Sequence, residues 1–257
     1  MGNYTVTERK NLTNEYRKYV VMNKSNHSYA QNNQIITIFN KNSWLNKRCF
    51  IIGGGESLKG FNFNVLDKEL TIGINKTFQT YDKVNINYSM DISFYDLMLK
   101  GDYDKLGEAK LWDKWMAFKG HRIFLTPMNI KQFGNEVYLV RRNIDPSFNR
   151  VDLDSGIWGG TNSGMGAISL AIALGINEIY LLGYDYKALE NTHWHSGYEI
   201  NRDMAQFNLK LKSYKEELEK IAPKIKELGV VIYNCNPSSE LKCFPFVDIQ
   251  KIFKNEK

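Results

Sequence analysis

The chain has 257 residues, of which 43% are hydrophobic and 13% aromatic, a composition that supplies the core of one large domain. The mean hydropathy of −0.43 and the lack of a long apolar run argue against a membrane span, and three cysteines at unrelated spacings argue against a disulfide framework or a zinc site. The formal net charge of +6 suits anionic ligands such as nucleotides or acidic glycans, and because the lysines are scattered among glutamates we expect no nucleic-acid partner.

The N-terminal segment is polar and weakly patterned, and its first residues lack the apolar core of a signal peptide. We therefore predict an N-terminal appendage over residues 1–46, a main α/β domain over residues 47–257 and a cytoplasmic location. Packing on the main domain is the favoured role for the appendage, and contacts within a homo-oligomer are the other.

The main domain begins with an apolar strand, residues 48–52, that runs directly into three glycines and a polar turn. Glycine permits positive φ and lets backbone N–H groups face a ligand. The loop is not a Walker A motif, because no Gly-Lys-Ser/Thr follows, and not a full dinucleotide fingerprint, because Leu58 stands where the third glycine belongs. A strand that runs into glycines still indicates a nucleotide site, for which the candidates are Gly53, Gly54, Gly55 and Ser57.

The next two predicted strands also end in polar residues. Residues 70–75 end at Asn75, and residues 84–91 end at Asp91. In a doubly wound sheet the carboxyl ends of the strands lie along one edge, where Asn75 can contact a base or ribose and Asp91 a ribose hydroxyl or a metal ion. Turn formation is the alternative for both residues, because Asn and Asp are common after strands.

The middle of the chain supplies cover and further strands for this sheet. Residues 93–120 combine aromatic and aliphatic side chains in a helical pattern, and two short strands follow at residues 121–127 and 137–140. Arg141 and Arg142 come directly after the second of them. They can meet a phosphate or an acidic substrate, and a solvated edge is the alternative.

Residues 160–185 contain a polar turn with glycines, a helix of small residues and a buried strand that ends in an acid. Asn162 or Ser163 can cap the helix, whose free N–H groups and dipole favour an anion such as phosphate. Gly164 keeps the first turn thin, and Asp185 follows the strand at its carboxyl end, where open α/β sheets hold ligands. Packing alone is the alternative explanation for these glycines.

The loop after this strand contains two histidines, His193 and His195. A histidine has a pKa near neutrality and is the usual base for taking a proton from a hydroxyl group. A structural role and metal binding stay open, although no Cys, His and Asp cluster of zinc-site spacing supports a metal.

The last part of the chain adds a long helix and a strand. Residues 203–228 have one apolar face, which favours cover for the sheet, and Pro223 predicts a kink or a split. Residues 230–234 form the last strand, and Ser238 follows it in a turn whose hydroxyls can hold a phosphate or a base. Together the elements predict a single Rossmann-like, doubly wound, mostly parallel sheet with helices on both faces.

These motifs together resemble those of the bacterial sialyltransferases of glycosyltransferase family 42. The first glycine loop resembles the family's Gly-x-Gly-Pro-Ser-Leu loop. The end of the second strand resembles the family's Cys-Asn-Gln-Phe strand end. The central block resembles the family's Thr-Ser-Gly helix and its Glu-Ile-Tyr-Leu-x-Gly-x-Asp strand, and the late turn is similar to its Cys-Pro-Asn-Ser turn. The matching blocks are residues 53–59, 73–78, 161–164, 171–175, 178–186 and 236–239.

The resemblance implies a GT-A-like variant of the Rossmann-like fold and a glycosyltransferase with a nucleotide-sugar donor of the CMP-sialic-acid kind. It implies a small-molecule or glycan acceptor and no metal cofactor. In this resemblance His195, or else His193, is the general base, and Tyr186 lies near the leaving phosphate. The residues that the resemblance assigns to the nucleotide are Gly55, Asn75, Ser163, Gly164 and Asp185.

Three departures from the family leave other functions open. Glu56 replaces the family's proline, and Asp91 stands where an amide is expected. The loop from Asp185 to the histidines is much shorter than the sialyltransferase lid, so we expect a short or absent lid. The chain also resembles the related 6-hydroxymethylpterin diphosphokinase MptE-like family, which implies Mg²⁺-dependent diphosphate transfer with Asp91 and Asp185 as metal ligands. A non-catalytic nucleotide-binding protein is the third hypothesis.

Overall fold

The structure is a computed structural model that describes residues 33–99, 111–127, 133–143, 150–188, 190, 193–194 and 203–254. The strands within them are β1 (Asn33–Gln34), β2 (Arg48–Ile52), β3 (Leu70–Ile74), β4 (Ile86–Ser89), β5 (His121–Leu125), β6 (Val137–Val140), β7 (Arg142–Asn143), β8 (Ile157–Trp158), β9 (Glu178–Leu182) and β10 (Val231–Asn234). Eight of these strands form one sheet in the order β1-β6-β5-β4-β3-β2-β9-β10, and every neighbouring pair is parallel. The other two, β7 and β8, pair with each other.

Helices and short 3-10 turns connect these strands. None of the described helices combines the length and the apolar character needed to cross a membrane. The 3-10 helices span Ile35–Thr37, Glu56–Leu58, Phe63–Leu66 and Asn75–Gln79. The α-helices are α1 (Ile92–Leu99), α2 (Leu111–Ala117), α3 (Ser163–Ala173), α4 (Met204–Glu227) and α5 (Ile249–Lys254).

Strand β2 shows why helices cover both faces of the sheet. Alternate side chains of a strand point to opposite faces, so Cys49 and Ile51 join a cluster with α3 and α4, whereas Phe50 and Ile52 join one with α1, α2 and α5. All four side chains are fully buried, so the strand is an uninterrupted apolar run, as is usual in parallel sheets. The structure confirms the predicted α/β, Rossmann-like fold with a mostly parallel sheet.

The strand order creates a crevice at one position of the carboxyl edge. From β2 the chain continues through β3, β4, β5 and β6 on one side, whereas β9 and β10 lie on the other side of β2. Open α/β sheets bind ligands where the strand order reverses, outside the carboxyl ends of the strands. That position lies between the ends of β2 and β9.

Part of the predicted appendage contributes to the main sheet. Strand β1 pairs with β6 at the sheet edge, and Ile35 and Trp44 are buried in the core. The Trp44 N–H donates to the Leu174 carbonyl at 2.9 Å, which ties this segment to the end of α3. Residues 1–32 lie outside the described residues.

Helix α4 differs from its prediction in two ways. It runs from Met204 to Glu227 without a break although Pro223 lies inside it, so the predicted split is wrong. Of its residues, Leu218 and Ile225 are buried, whereas its N-terminal half faces the crevice at the carboxyl edge. The apolar face therefore covers the sheet along only part of its length.

Candidate functional site

A cleft opens where the strand order reverses. Its empty space is about 810 Å³, a volume that includes open solvent at the mouth of the cleft. Its walls are the loops after β2, β3 and β9, the N-terminus of α3 and the N-terminal half of α4. The predicted site residues that line it are Gly53, Gly54, Gly55, Asn75, Asn162, Ser163, Gly164, Asp185, Tyr186 and His193.

The glycine loop after β2 is bound to the end of β9. The Gly53 N–H donates to the Leu182 carbonyl at 2.7 Å, and the Gly55 N–H donates to the Gly183 carbonyl at 2.8 Å. Between them, the N–H of Gly54 has no hydrogen-bond partner in the described part of the chain, and Gly54 lines the cleft. This N–H is therefore available to a ligand.

Close contacts explain why glycines are needed in this loop. A β-carbon at Gly55 would lie 2.5 Å from an Asp185 carboxylate oxygen, and a β-carbon at Gly54 would lie 2.6 Å from the His193 ring. Either distance is too short for a side chain without displacement of the neighbour. The missing β-carbons thus let the acid and the imidazole approach the backbone.

Asp185 joins three strand ends. Its Oδ2 accepts from the Ser57 N–H at 2.8 Å, and its Oδ1 accepts from the Ser57 hydroxyl at 2.5 Å and from the Asn236 amide at 2.7 Å. Its backbone carbonyl accepts from the Ser239 hydroxyl at 3.3 Å and from the Glu240 N–H at 2.9 Å. Asp185 is only 6% exposed, so its carboxylate ties the loops after β2 and β10 together as well as lining the cleft.

Ser57 and Ser238, both predicted nucleotide contacts, lie outside the lining of the cleft. Ser57 uses its N–H and hydroxyl to hold Asp185. Ser238 is exposed, and its N–H donates to Asn236 Oδ1 at 2.9 Å, which shapes the turn after β10. The next residue, Ser239, is buried. Its hydroxyl donates to the Tyr184 carbonyl at 2.5 Å, which ties that turn to the segment after β9.

Asn75 is held in the cleft in a left-handed conformation, with φ at 52°, which Asn tolerates better than most residues. Its Oδ1 accepts from the Ser89 hydroxyl at 2.8 Å and the Ser163 hydroxyl at 3.4 Å, and its carbonyl accepts from the Asn87 amide at 2.9 Å. The side-chain amide nitrogen of Asn75 has no hydrogen-bond partner among the described residues, and Asn75 lines the cleft. The supporting pair Asn87 and Ser89 was not predicted, although polar residues at alternate positions of a buried strand share one face and indicate a polar network.

The N-terminus of α3 is the part of the cleft best suited to an anion. Asn162 caps the helix, because its Oδ1 accepts from the Met165 N–H at 3.1 Å and its carbonyl from the Gly166 N–H at 3.3 Å. The N–H groups of Ser163 and Gly164, the first of the helix, have no partner among the described residues, and both residues line the cleft. Free N–H groups at the positive end of a helix dipole attract anions.

Two hydrogen bonds from Trp194 fix His193 against the glycine loop. The Trp194 backbone N–H donates to the Gly54 carbonyl at 3.2 Å, and the indole N–H donates to the Gly53 carbonyl at 2.9 Å. The His193 ring is half-buried, and its centroid lies 5.8 Å from that of Phe207. His193 therefore lines the same cleft as the N-terminus of α3.

Tyr186 and His195 are the other predicted catalytic residues. Tyr186 lines the cleft, and burial, together with nearby Cys243 and the carboxylates of Glu217 and Glu219, raises the pKa of Tyr186 well above its ordinary value. Its phenol stays protonated near neutral pH and can donate a hydrogen bond. His195 lies outside the described residues, so its role stays a prediction.

Asp91, a predicted ribose or metal ligand, does not line the cleft. It is exposed, and its Oδ1 accepts from the N–H and the hydroxyl of Ser93, at 3.0 and 2.5 Å, at the start of α1. Turn formation accounts for these bonds. The other candidate metal ligand, Asp185, already accepts bonds from Ser57 and Asn236. Over the described ranges, no group of three or more His, Cys, Asp and Glu side chains is placed to hold a metal ion.

The structure adds cleft residues that the sequence analysis assigned elsewhere or not at all. Phe207, Leu211 and Tyr214 of α4 form an apolar wall, which we name the α4 wall. Lys187 also lines the cleft, with its Nζ 3.6 Å from Oε1 of Glu240. The apolar stripe of α4 was visible in the sequence, but periodicity alone does not indicate where the sheet beneath a helix ends.

Comparison of the chain with protein-family models, with curated proteins and with solved structures gave no match. The resemblance to the sialyltransferases and to the MptE-like family therefore stays a prediction from sequence motifs.

We expect Asp185→Asn to lower the free energy of unfolding by about 1–3 kcal/mol, because an amide in place of one oxygen leaves a Ser57 or Asn236 donor without an acceptor. Asp91→Asn is the matched control. Asn caps a helix as well as Asp does, so we expect Asp91→Asn to change the free energy of unfolding by no more than about 0.5 kcal/mol. Urea unfolding at equilibrium measures both, and equally small effects would show that the Asp185 tie does not stabilise the loops.

Proposed function

We propose that the chain binds a nucleotide sugar in the cleft and transfers the sugar to a hydroxyl group of an acceptor. The observation that carries the proposal is that the free N–H groups of the α3 N-terminus and the His193 ring line one cleft. The N–H groups can hold a phosphate, and the imidazole of His193 can take a proton. The motif resemblance to glycosyltransferase family 42 supports the same reaction class, with a donor of the CMP-sialic-acid kind.

The polar side of the cleft suits a leaving phosphate. The N–H groups of Ser163, Gly164 and Gly54 line it without partners among the described residues. N–H groups held in place by the fold stabilise negative charge as it develops on a leaving group. Tyr186 adds a phenol that is protonated near neutral pH and lines the same cleft. These groups provide charge stabilisation from the chain's own donors.

His193 takes the proton of the acceptor in this proposal. As the imidazole accepts the hydroxyl proton, the acceptor oxygen bonds to the anomeric carbon, and the bond from that carbon to the phosphate oxygen breaks. The nucleotide leaves with the bonding electron pair on its phosphate, as CMP if the donor is a CMP-sugar, and the proton passes from His193 to solvent. His195 is the alternative base.

The diphosphokinase hypothesis has less support from the same residues. It assigns Mg²⁺ to Asp91 and Asp185, whereas Asp91 holds the start of α1 and Asp185 accepts bonds from Ser57 and Asn236. Binding of ATP that requires Mg²⁺, with no binding of cytidine nucleotides, would favour that hypothesis over glycosyl transfer.

Two substitutions of one residue test the phosphate site. Ser163→Pro removes the first N–H of α3, whereas Ser163→Ala removes only the hydroxyl. Proline fits the first helical position, and Asn162 before it already has φ at −150° and ψ at 157°, which a residue before proline prefers.

We expect Ser163→Pro to bind CMP about tenfold more weakly than Ser163→Ala in metal-free calorimetric titrations, through loss of a charge-assisted hydrogen bond. Equal affinities in two folded variants would contradict the phosphate site.

Separate alanine substitutions of His193 and His195 identify the base. The variant that lacks the base should transfer sugar from CMP-sialic acid to a panel of glycosides about a hundredfold more slowly, with CMP affinity nearly unchanged, because a general base acts on the proton transfer rather than on binding. His121→Ala is the control, since this exposed histidine is the first residue of β5 and lies at the amino ends of the strands, away from the cleft at their carboxyl ends. Transfer that survives in both cleft variants would rule out a histidine base at this site.

A further inference from the structure

Lys187 brings a positive charge into the cleft from the loop after β9. Of the described residues that line the cleft, Asp185 and Lys187 are those with a carboxylate or an ammonium group. The Asp185 carboxylate already accepts hydrogen bonds from Ser57 and Asn236. Because a positive charge in a cleft attracts anions, the Lys187 ammonium is a candidate contact for an anionic ligand.

The ion pair between Lys187 and Glu240 is weak. The distance from Nζ to Oε1 is 3.6 Å, whereas a charge-assisted N–H···O hydrogen bond is about 2.7–2.9 Å long. The two side chains are 34% and 51% exposed, and ion pairs in contact with solvent contribute little to stability. The ammonium can therefore leave Glu240 at a small cost in free energy.

Backbone hydrogen bonds hold the two loops without this ion pair. The Glu240 N–H donates to the Asp185 carbonyl at 2.9 Å. Directly after Lys187, the Ala188 N–H donates to the Asn208 side chain at 2.8 Å, and the Ala188 carbonyl accepts from that side chain at 3.0 Å. The flexible four-carbon stem of Lys187 can thus rotate while the backbone on both sides of it stays in place.

We infer that Lys187 is a ligand-binding residue whose ammonium exchanges the Glu240 carboxylate for an anionic group of the ligand. The inference rests on the proposed function, which supplies the anion as the phosphate of a nucleotide or as a carboxylate on its sugar. The N–H groups at the start of α3 line the same cleft, so they and Lys187 can act on the negative charge of one ligand. Glu240 then competes with the ligand for a single cation.

Two substitutions with opposite expected effects test this exchange. Lys187→Gln removes the cation, and Glu240→Gln removes its competitor. In calorimetric titrations with CMP in metal-free buffer, we expect Lys187→Gln to raise the Kd about tenfold, through loss of a charge-assisted hydrogen bond. Glu240→Gln should lower the Kd about threefold, because the ligand no longer displaces a carboxylate from Lys187. A merely structural role of the ion pair would make both variants bind more weakly.

A second ion pair supplies matched controls. Lys224 and Glu227 are 2.9 Å apart in the last turn of α4, both side chains are exposed, and neither lines the cleft. Lys224→Gln and Glu227→Gln change the net charge of the chain as the two cleft variants do. Both controls should bind CMP as the wild-type chain does, and circular dichroism checks that all four variants are folded.

A second ligand distinguishes the two anionic groups. Each chain is also titrated with CMP-sialic acid in the absence of an acceptor. If Lys187 contacts the phosphate, both substitutions change the affinity for CMP and for CMP-sialic acid. If Lys187 contacts the sugar carboxylate, they change the affinity for CMP-sialic acid alone. Either result supports the exchange and identifies the anion.

Two results would overturn the inference. One is a Lys187→Gln chain that binds both ligands as tightly as the Lys224→Gln chain. The other is a Glu240→Gln chain that binds neither ligand more tightly than the Glu227→Gln chain. If the wild-type chain binds neither nucleotide, the proposed function fails instead. A titration with inorganic phosphate then decides the inference, which is wrong if the wild-type and Lys187→Gln chains respond alike.

Discussion

The cleft depends on one buried carboxylate. Asp185 follows β9, and its oxygens accept hydrogen bonds from Ser57 after β2 and from Asn236 after β10. Three neighbouring strands thus end in loops that meet at a single side chain. Because a buried carboxylate that loses its donors is strongly unfavourable, the loops hold one another in place. The glycine loop therefore keeps a position in which Gly54 lines the cleft, and Gly55 leaves room for the acid.

The cleft combines two chemically different walls, and the proposed transfer reaction would use both. At the α3 N-terminus, the N–H groups of Ser163 and Gly164 could bind an anion. The α4 wall presents apolar side chains, including Phe207. The His193 ring lies against Gly54 of the glycine loop, and its centroid is 5.8 Å from that of Phe207. An anionic donor and a hydroxyl-bearing, partly apolar acceptor would each find a suitable surface beside the same imidazole.

The position of the cleft could be predicted from the sequence, because β2, β3 and β9 are apolar runs followed by glycine or polar residues, and the ends of parallel strands share an edge. The roles of individual acids could not. Asp91 and Asp185 look equivalent in the sequence, each an acid after a strand, yet one is exposed and bonds to Ser93, whereas the other is buried beneath donors from two other loops. Those partners are distant in the chain, so no local pattern reveals them. The N-terminal half of α4 was assigned to the sheet for a similar reason, since periodicity shows which face is apolar but not what lies opposite it.

Binding of a nucleotide phosphate at the N-terminus of α3, beside the glycine loop, is tested most directly by amide NMR. An isotope-labelled chain is titrated with CMP in metal-free buffer, and the amide signals are followed residue by residue. The predicted result is that the largest saturable shifts occur at Gly54, Ser163 and Gly164. Shifts that avoid these three amides, or that concentrate at the amino-terminal edge of the sheet near His121, would contradict the proposed site.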